Sequence, residues 1–202
     1  MCIIQKNKIM KQKILYLCSI VLVSVFLVSF SFDDAAGWFK AGSKPKSYDM
    51  GIDKGAGQTG NDCASIKSIE KKIDGFGTLM QNFKADKYHG KKIRMTGYMR
   101  SKKVKSWAGF WLRVDGNEIK KSLAFDNMYK RAIKGTTDWN KYEIILEVSE
   151  KATKIAFGAM LHGTGQIWFD KIDFEVVDNS VPTTNMLDDM NKDEPQNLNF
   201  NK

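Results

Sequence analysis

Trp111 and Arg113 alternate on one short segment, Phe110-Trp-Leu-Arg-Val114, and neither falls on its apolar face. Side chains in a strand alternate across the sheet, so Phe110, Leu112 and Val114 are expected to face a core and Trp111, Arg113 and Asp115 to face away. The same rule sets Tyr98 beside Arg94, Thr96 and Arg100, opposite Ile93, Met95 and Met99. An aromatic face with a few oriented polar groups is the chemistry of sugar recognition. Rings stack against C–H faces, and Arg, Asp and Gln exchange hydrogen bonds with hydroxyls. Tyr98 and Trp111 are therefore expected to stack. Arg113, Gln81 and Asp126 are expected to hydrogen-bond, and Trp107, in the segment Lys105-Ser-Trp-Ala-Gly109, to form a loop wall. His162 shares its face with Gly158 and Met160, opposite Ile155, Phe157, Ala159 and Leu161, and joins the ligand-binding set. Cross-strand packing of exposed aromatics is the competing reading of this face. Trp139 and Trp168 are expected to pack.

Other chemistry finds little support. G-x-S-x-G, P-loop and H-E-x-x-H patterns are missing, so no enzymatic activity is expected. Asp115 and Asp126 are the one carboxylate pair to consider for glycoside hydrolysis, and each also has a turn or strand-end explanation. Asp170, in Trp168-Phe-Asp-Lys171, is a candidate Ca²⁺ ligand or a turn anchor, which leaves a structural Ca²⁺ as the sole cofactor to test. Two histidines and one cysteine, widely separated, make no zinc motif.

These residues need an antiparallel scaffold. Short alternating segments separated by Gly and polar turns recur at Tyr48–Asp53, Ala64–Ser68, Phe76–Phe83, Ile93–Met99, Phe110–Val114, Leu123–Asp126, Tyr142–Val148, Ile155–Leu161 and Ile167–Val177. No segment sustains a 3.6-residue apolar period. The pattern predicts an all-β protein, an antiparallel β-sandwich spanning residues 33–178. In the Leu123–Asp126 segment, Leu123 and Phe125 are expected to point inward and Asp126 outward. Residues 179–202 are polar, Asn-rich and acidic, and are expected to form a disordered tail.

The N-terminal 32 residues differ. Lys6, Lys8, Lys11 and Lys13 precede an uncharged apolar run from Ile14 to Phe32, the layout of an export signal or a membrane-anchor helix. The protein is therefore expected to be secreted, periplasmic or envelope-associated, with any membrane contact made through residues 14–32. Cys2 and Cys18 fall in this leader, so Cys63 is alone in the body and no intramolecular disulfide is expected. The chain carries 32 Lys and Arg against 23 Asp and Glu. The basic excess admits anionic partners or a plain lysine-rich surface. Nucleic acid is not an expected partner, because helix-turn-helix and zinc patterns are missing.

The segments Gly37–Phe39, Gly75–Gln81, Trp107–Gly116, Ala124–Met128, Ile133–Trp139 and Gly163–Asp170 together resemble a galactose-binding-like jelly-roll. Domains of this kind include carbohydrate-binding modules, and a narrower bacterial group is also attached to AraC-type transcriptional regulators. The resemblance spans residues 37–177. It implies a β-sandwich with a binding role and carries over no particular ligand. The resulting expectation is a monomeric, exported, non-catalytic module that recognises carbohydrate or a cell-envelope polymer. The alternative is a membrane-tethered structural or protein-interaction module.

Overall fold

The computed structural model describes residues 32–118, 121–188 and 198, so the leader and its apolar run, Phe32 excepted, lie outside the described residues. Among the described residues the regular structure is antiparallel strand, broken by three short 3-10 turns. The strands are β1 (Phe39–Gly42), β2 (Tyr48–Asp53), β3 (Cys63–Ser68), β4 (Phe76–Lys84), β5 (Lys91–Asp115), β6 (Ser122–Asp126), β7 (Ile133–Val148), β8 (Lys154–His162) and β9 (Gln166–Val177).

The 25-residue β5 organises the whole. Its first half, residues 92–102, pairs with β9, and its second half, residues 107–115, pairs with β8. One layer therefore runs β1-β4-β8-β5-β6 and the other β2-β3-β9-β5-β7. The two alternating segments expected as separate strands, Ile93–Met99 and Phe110–Val114, are one bent strand. The bend falls at Ser101–Ala108, where the register against β7 slips repeatedly and Lys103 takes a left-handed φ of 53°. Such bulges let a strand leave one sheet and enter another. The result is a nearly closed antiparallel β-sandwich.

The core lies between the layers. Phe110, Leu112 and Val114 from one half of β5 meet Ile93, Met95 and Met99 from the other, with Ile155, Ala159 and Leu161 of β8 and Ile167 and Phe169 of β9. The edge-to-face pairs Trp38–Phe157 (5.4 Å) and Phe83–Phe174 (5.6 Å) close one flank. Gly97 interrupts the Met95–Met99 alternation for a steric reason, since a Cβ there would sit 2.8 Å from the Phe110 ring.

Two sequence expectations are corrected here. In β6, Arg113 pairs with Phe125 and Leu112 with Asp126, so Phe125 shares the outer face of Arg113 and Asp126 turns inward. The inward carboxylate is tolerated because it is fully paired, as described below.

The second correction concerns residues 179–188, which are held rather than free. Thr184 N–H donates to Ile145 O (2.8 Å), Ile145 N–H donates to Thr184 Oγ1 (3.0 Å), Met186 N–H donates to Phe125 O (2.8 Å) and Phe125 N–H donates to Asn185 Oδ1 (3.0 Å). Lys92 Nζ donates to the Asn179 and Val181 carbonyls, 2.6 Å each. The segment covers the outer edges of β6 and β7, whose open backbone groups would otherwise invite strand addition. Polar residues make these bonds, which is why a composition rule reads the segment as disordered. Removing residues 179–202 is expected to lower the melting temperature by several degrees and promote self-association, measurable by thermal denaturation and light scattering.

Candidate functional site

A groove of about 550 Å³ lies on the outer face of the β4-β8-β5 layer. Cross-strand register builds it row by row. Phe76, His162 and Trp107 form one row; Thr78, Met160 and Gly109 the next; then Met80, Gly158 and Trp111; then Asn82, Ala156, Arg113 and Phe125. Gly109 and Gly158 carry no side chain in the middle rows because neighbours approach closely there: a Cβ at Gly109 would lie 3.0 Å from Met128 Cβ. A Cβ at Gly158 would collide with the Leu79 carbonyl. Trp111, Ala156 and Met160 form a second apolar cluster on this face, with Phe76, Met80, Trp107 and Phe125 packed around them.

Trp111 is the floor of the groove. It is only 7% exposed, its Nε1–H donates to Thr78 Oγ1 at 2.8 Å, and that hydroxyl donates to Ala159 O at 2.7 Å. The indole is locked with its polar handle already satisfied. Trp107 is different. It belongs to β5 rather than to a loop, is half-buried, and lies nearly parallel to the His162 ring (10°, centroids 6.1 Å). Tyr129, 61% exposed, meets it edge-on at 5.5 Å. Trp107, His162 and Tyr129 thus form an aromatic wall at one end.

The polar groups around the groove are few and directional. His162 Nδ1 bonds Ser106 Oγ at 3.1 Å, which leaves Nε2 for a ligand. Asn127 Oδ1 accepts from Tyr129 N–H at 3.0 Å, which leaves its amide N–H groups. At the opposite end Arg113 Nη2 donates to Asp115 Oδ2 at 3.0 Å. Arg113 Nε lies 2.9 Å from Asp115 Oδ1 without directing its N–H there, and Lys154 Nζ approaches the same carboxylate at 3.6 Å. Among the described residues no carboxylate lines the groove.

The structure gathers Trp107, Trp111, Arg113 and His162 in this groove and places the other expected site residues elsewhere. Tyr98 is on the first half of β5, opposite Lys141 and Asp170, so it lies on the outer face of the other layer. Gln81 alternates with Met80 and faces the flank of the sandwich beside Gly37. Asp126 has no exposed side-chain surface. It accepts from Met128 N–H (2.7 Å) and pairs with Arg131 Nη2 (2.7 Å), so it anchors a turn and cannot reach a ligand. Asp115 and Asp126 are each committed to cations.

Asp170 accepts from Asn61 Nδ2 (2.9 Å) and from Lys171 N–H (2.7 Å). Among the described residues no group of three or more His, Cys, Asp or Glu is placed to hold a metal, so Asp170 lacks the companion carboxylates on which Ca²⁺ sites are built. Arg100 lies over the Trp168 ring at 4.2 Å and over Trp139 at 5.4 Å, in keeping with the expectation that both indoles pack.

Phe76, Met80, Phe125, Asn127 and Tyr129 were not expected at the site. Alternation along Phe76-Gly-Thr-Leu-Met80 could have found the first two, once Thr78 was placed beneath Trp111. Tyr129 carries no periodic signal, because it follows the left-handed Met128 (φ 60°) in a turn fixed by Asp126.

Burial pushes the Cys63 thiol up to about 12, and the nearby Asp53 and Asp170 carboxylates add to the effect. At pH 8 the thiolate fraction is negligible, so folded protein is expected to be inert to a disulfide-exchange reagent and to react only after denaturation.

The fold that positions this groove is shared with carbohydrate-binding modules. The CBM22-1 xylan-binding domain of Paenibacillus barcinonensis Xyn10C superposes with a TM-score of 0.52 at 9% identity, over 75% of this chain and 93% of that one. The Clostridium thermocellum xylanase 10B CBM22-1-GH10 structure, complexed with xylohexaose, gives 0.52 at 11%, over 74% and 28%. The enzymatically active domain of Bacteriophage CBA120 tailspike protein 4 gives 0.51 at 9%, over 70% of this chain and 20% of that one. At these identities the likeness is one of fold. In sequence, the chain is 44% identical over 166 residues to an uncharacterized HTH-type transcriptional regulator, YbfP, of Bacillus subtilis (strain 168). That match covers 81% of this chain and 56% of the relative, so the chain spans little more than half of the relative's length. No family model matches the sequence.

Proposed function

We propose that this protein is a non-catalytic carbohydrate-binding module whose ligand lies in the groove of the β4-β8-β5 layer. The observation that carries the reading is the aromatic wall of half-buried Trp107 and His162 and exposed Tyr129, set beside an apolar floor with unpaired polar groups at its edge. A sugar ring needs an apolar face to stack on and directional partners for its hydroxyls. Trp107 and Tyr129 supply the first; His162 Nε2 and the Asn127 amide supply the second. The likeness in fold to xylan-binding modules supports the reading. The leader, with its lysines before an apolar run, supports export to the cell envelope. Affinity electrophoresis against a panel of soluble glycans tests the binding role. Retardation by at least one glycan, lost in Trp107→Ala, is expected, and no retardation by any of them would overturn it.

A second reading follows from the Bacillus subtilis relative. This chain would then serve as a sensing module of a transcriptional regulator, and the same groove would take a saccharide signal. Mass spectrometry of the N-terminus in cell fractions separates the two. A processed chain outside the cytoplasm fits the envelope module, and an unprocessed cytoplasmic chain fits the sensor.

A further inference from the structure

Beyond the row of Phe76, His162 and Trp107 the groove face runs into a corner of lysines. There β5 turns through Lys102, Lys103 and Lys105, all exposed. Lys105 N–H donates to Thr164 O at 2.9 Å, which ties this turn to the residues that follow His162. Gly163 N–H donates to Gly75 O at 2.9 Å, which brings in the 69–75 loop carrying Lys71 and Lys72. Lys134 arrives from β7, where Gly135 pairs with Val104 and Lys103 N–H donates to Thr136 Oγ1 (3.0 Å). None of these six lysines makes an ion pair among the described residues. The acidic groups on the same loop are Glu70 and Asp74, both exposed. At the far end of the groove stand Lys84, Lys154 and Arg113, with the carboxylates of Asp115 and Glu118 beside them.

Like charges gathered this densely repel one another, and they concentrate an oppositely charged ligand at the surface. Among the described residues the groove lining adds no negative charge of its own. We infer that the ligand is an acidic glycan, a sugar chain bearing carboxylate or phosphate groups, which stacks on Trp107 and sets its anionic groups over Lys102, Lys105 and their neighbours. This rests on the reading of the groove as a sugar site.

The test is titration of the full chain with two matched pairs, polygalacturonate against its methyl ester and phosphomannan against neutral mannan. A duplex DNA is the competing polyanion. At least one acidic member is expected to bind about tenfold or more tightly than its neutral partner. That advantage should shrink severalfold between about 50 and 150 mM salt, as exposed charges are screened. Which pair responds identifies carboxylate or phosphate. The double variant Lys102→Glu/Lys105→Glu should erase the advantage without moving the melting temperature, and Lys103 is left untouched because its φ is left-handed. Trp107→Ala should weaken both members of the responding pair. Equal binding of neutral and acidic glycans, indifferent to the double variant, would overturn the acidic ligand and leave the sugar site standing. Binding of neither pair would overturn both. Duplex DNA bound more tightly than either acidic glycan, and unaffected by Trp107→Ala, would assign the corner to nucleic acid and overturn the inference.

Discussion

Replacing Trp107 with Ala is expected to weaken glycan binding by about 2 kcal/mol, roughly thirtyfold, with the fold preserved, whereas replacing Trp111 with Ala is expected to destabilise the fold itself. Trp107 is half-buried, and its partners His162 and Tyr129 are side chains at the groove wall. Truncating it removes a stacking surface and opens little of the core. Trp111 fills the middle of the sheet face at 7% exposure and holds Thr78 through its indole N–H. Loss of a buried Trp costs about 3–5 kcal/mol, a large part of the roughly 5–15 kcal/mol that holds a domain together. Trp111→Phe keeps most of the volume but forfeits the bond to Thr78 and part of the packing, so it should recover part of that stability. Melting curves and glycan titrations of the three variants separate the roles. A Trp111→Ala protein that melts like wild type and fails to bind would reverse the assignment.

The second large effect is expected at Asp126, where Asp126→Ala should cost about 2–3 kcal/mol of stability. Its carboxylate accepts from Met128 N–H and pairs with Arg131, whose side chain is 39% exposed, so solvent softens part of the loss. Asp126→Asn keeps an acceptor for Met128 N–H and should recover about half. Because Asp126 holds the turn that presents Tyr129, glycan affinity should fall together with stability. Urea denaturation gives the first quantity and titration the second. Reduced affinity at unchanged stability would instead make Asp126 a ligand contact.

Much of the scaffold is legible in the residues themselves. The alternation Ile155, Phe157, Ala159, Leu161 against Gly158, Met160, His162 is reproduced in β8, and so is that of Phe110, Leu112 and Val114 against Trp111 and Arg113. A half-buried strand must write its two faces into its sequence. Alternation misleads where a buried polar group is paired. In β6 it puts Phe125 inward and Asp126 outward, and the register with β5 does the reverse because Met128 and Arg131 satisfy the carboxylate. Composition misleads at residues 179–188, whose order depends on the edges of β6 and β7.

The candidate site divides along the same line. Sequence alone determined that the body is an antiparallel β protein and that Trp111 and Arg113 lie off the core face, because period-two patterning is local. It could not determine which outward residues meet. Tyr98 and Trp111 belong to one strand, but the bend at Lys103 carries them onto different layers. Gln81 and Asp126 left the site, and Tyr129, Phe76 and Met80 entered or flanked it, through pairing registers between segments far apart in the chain. A register is a relation between strands. The residues of one strand do not encode it until its partner is in place.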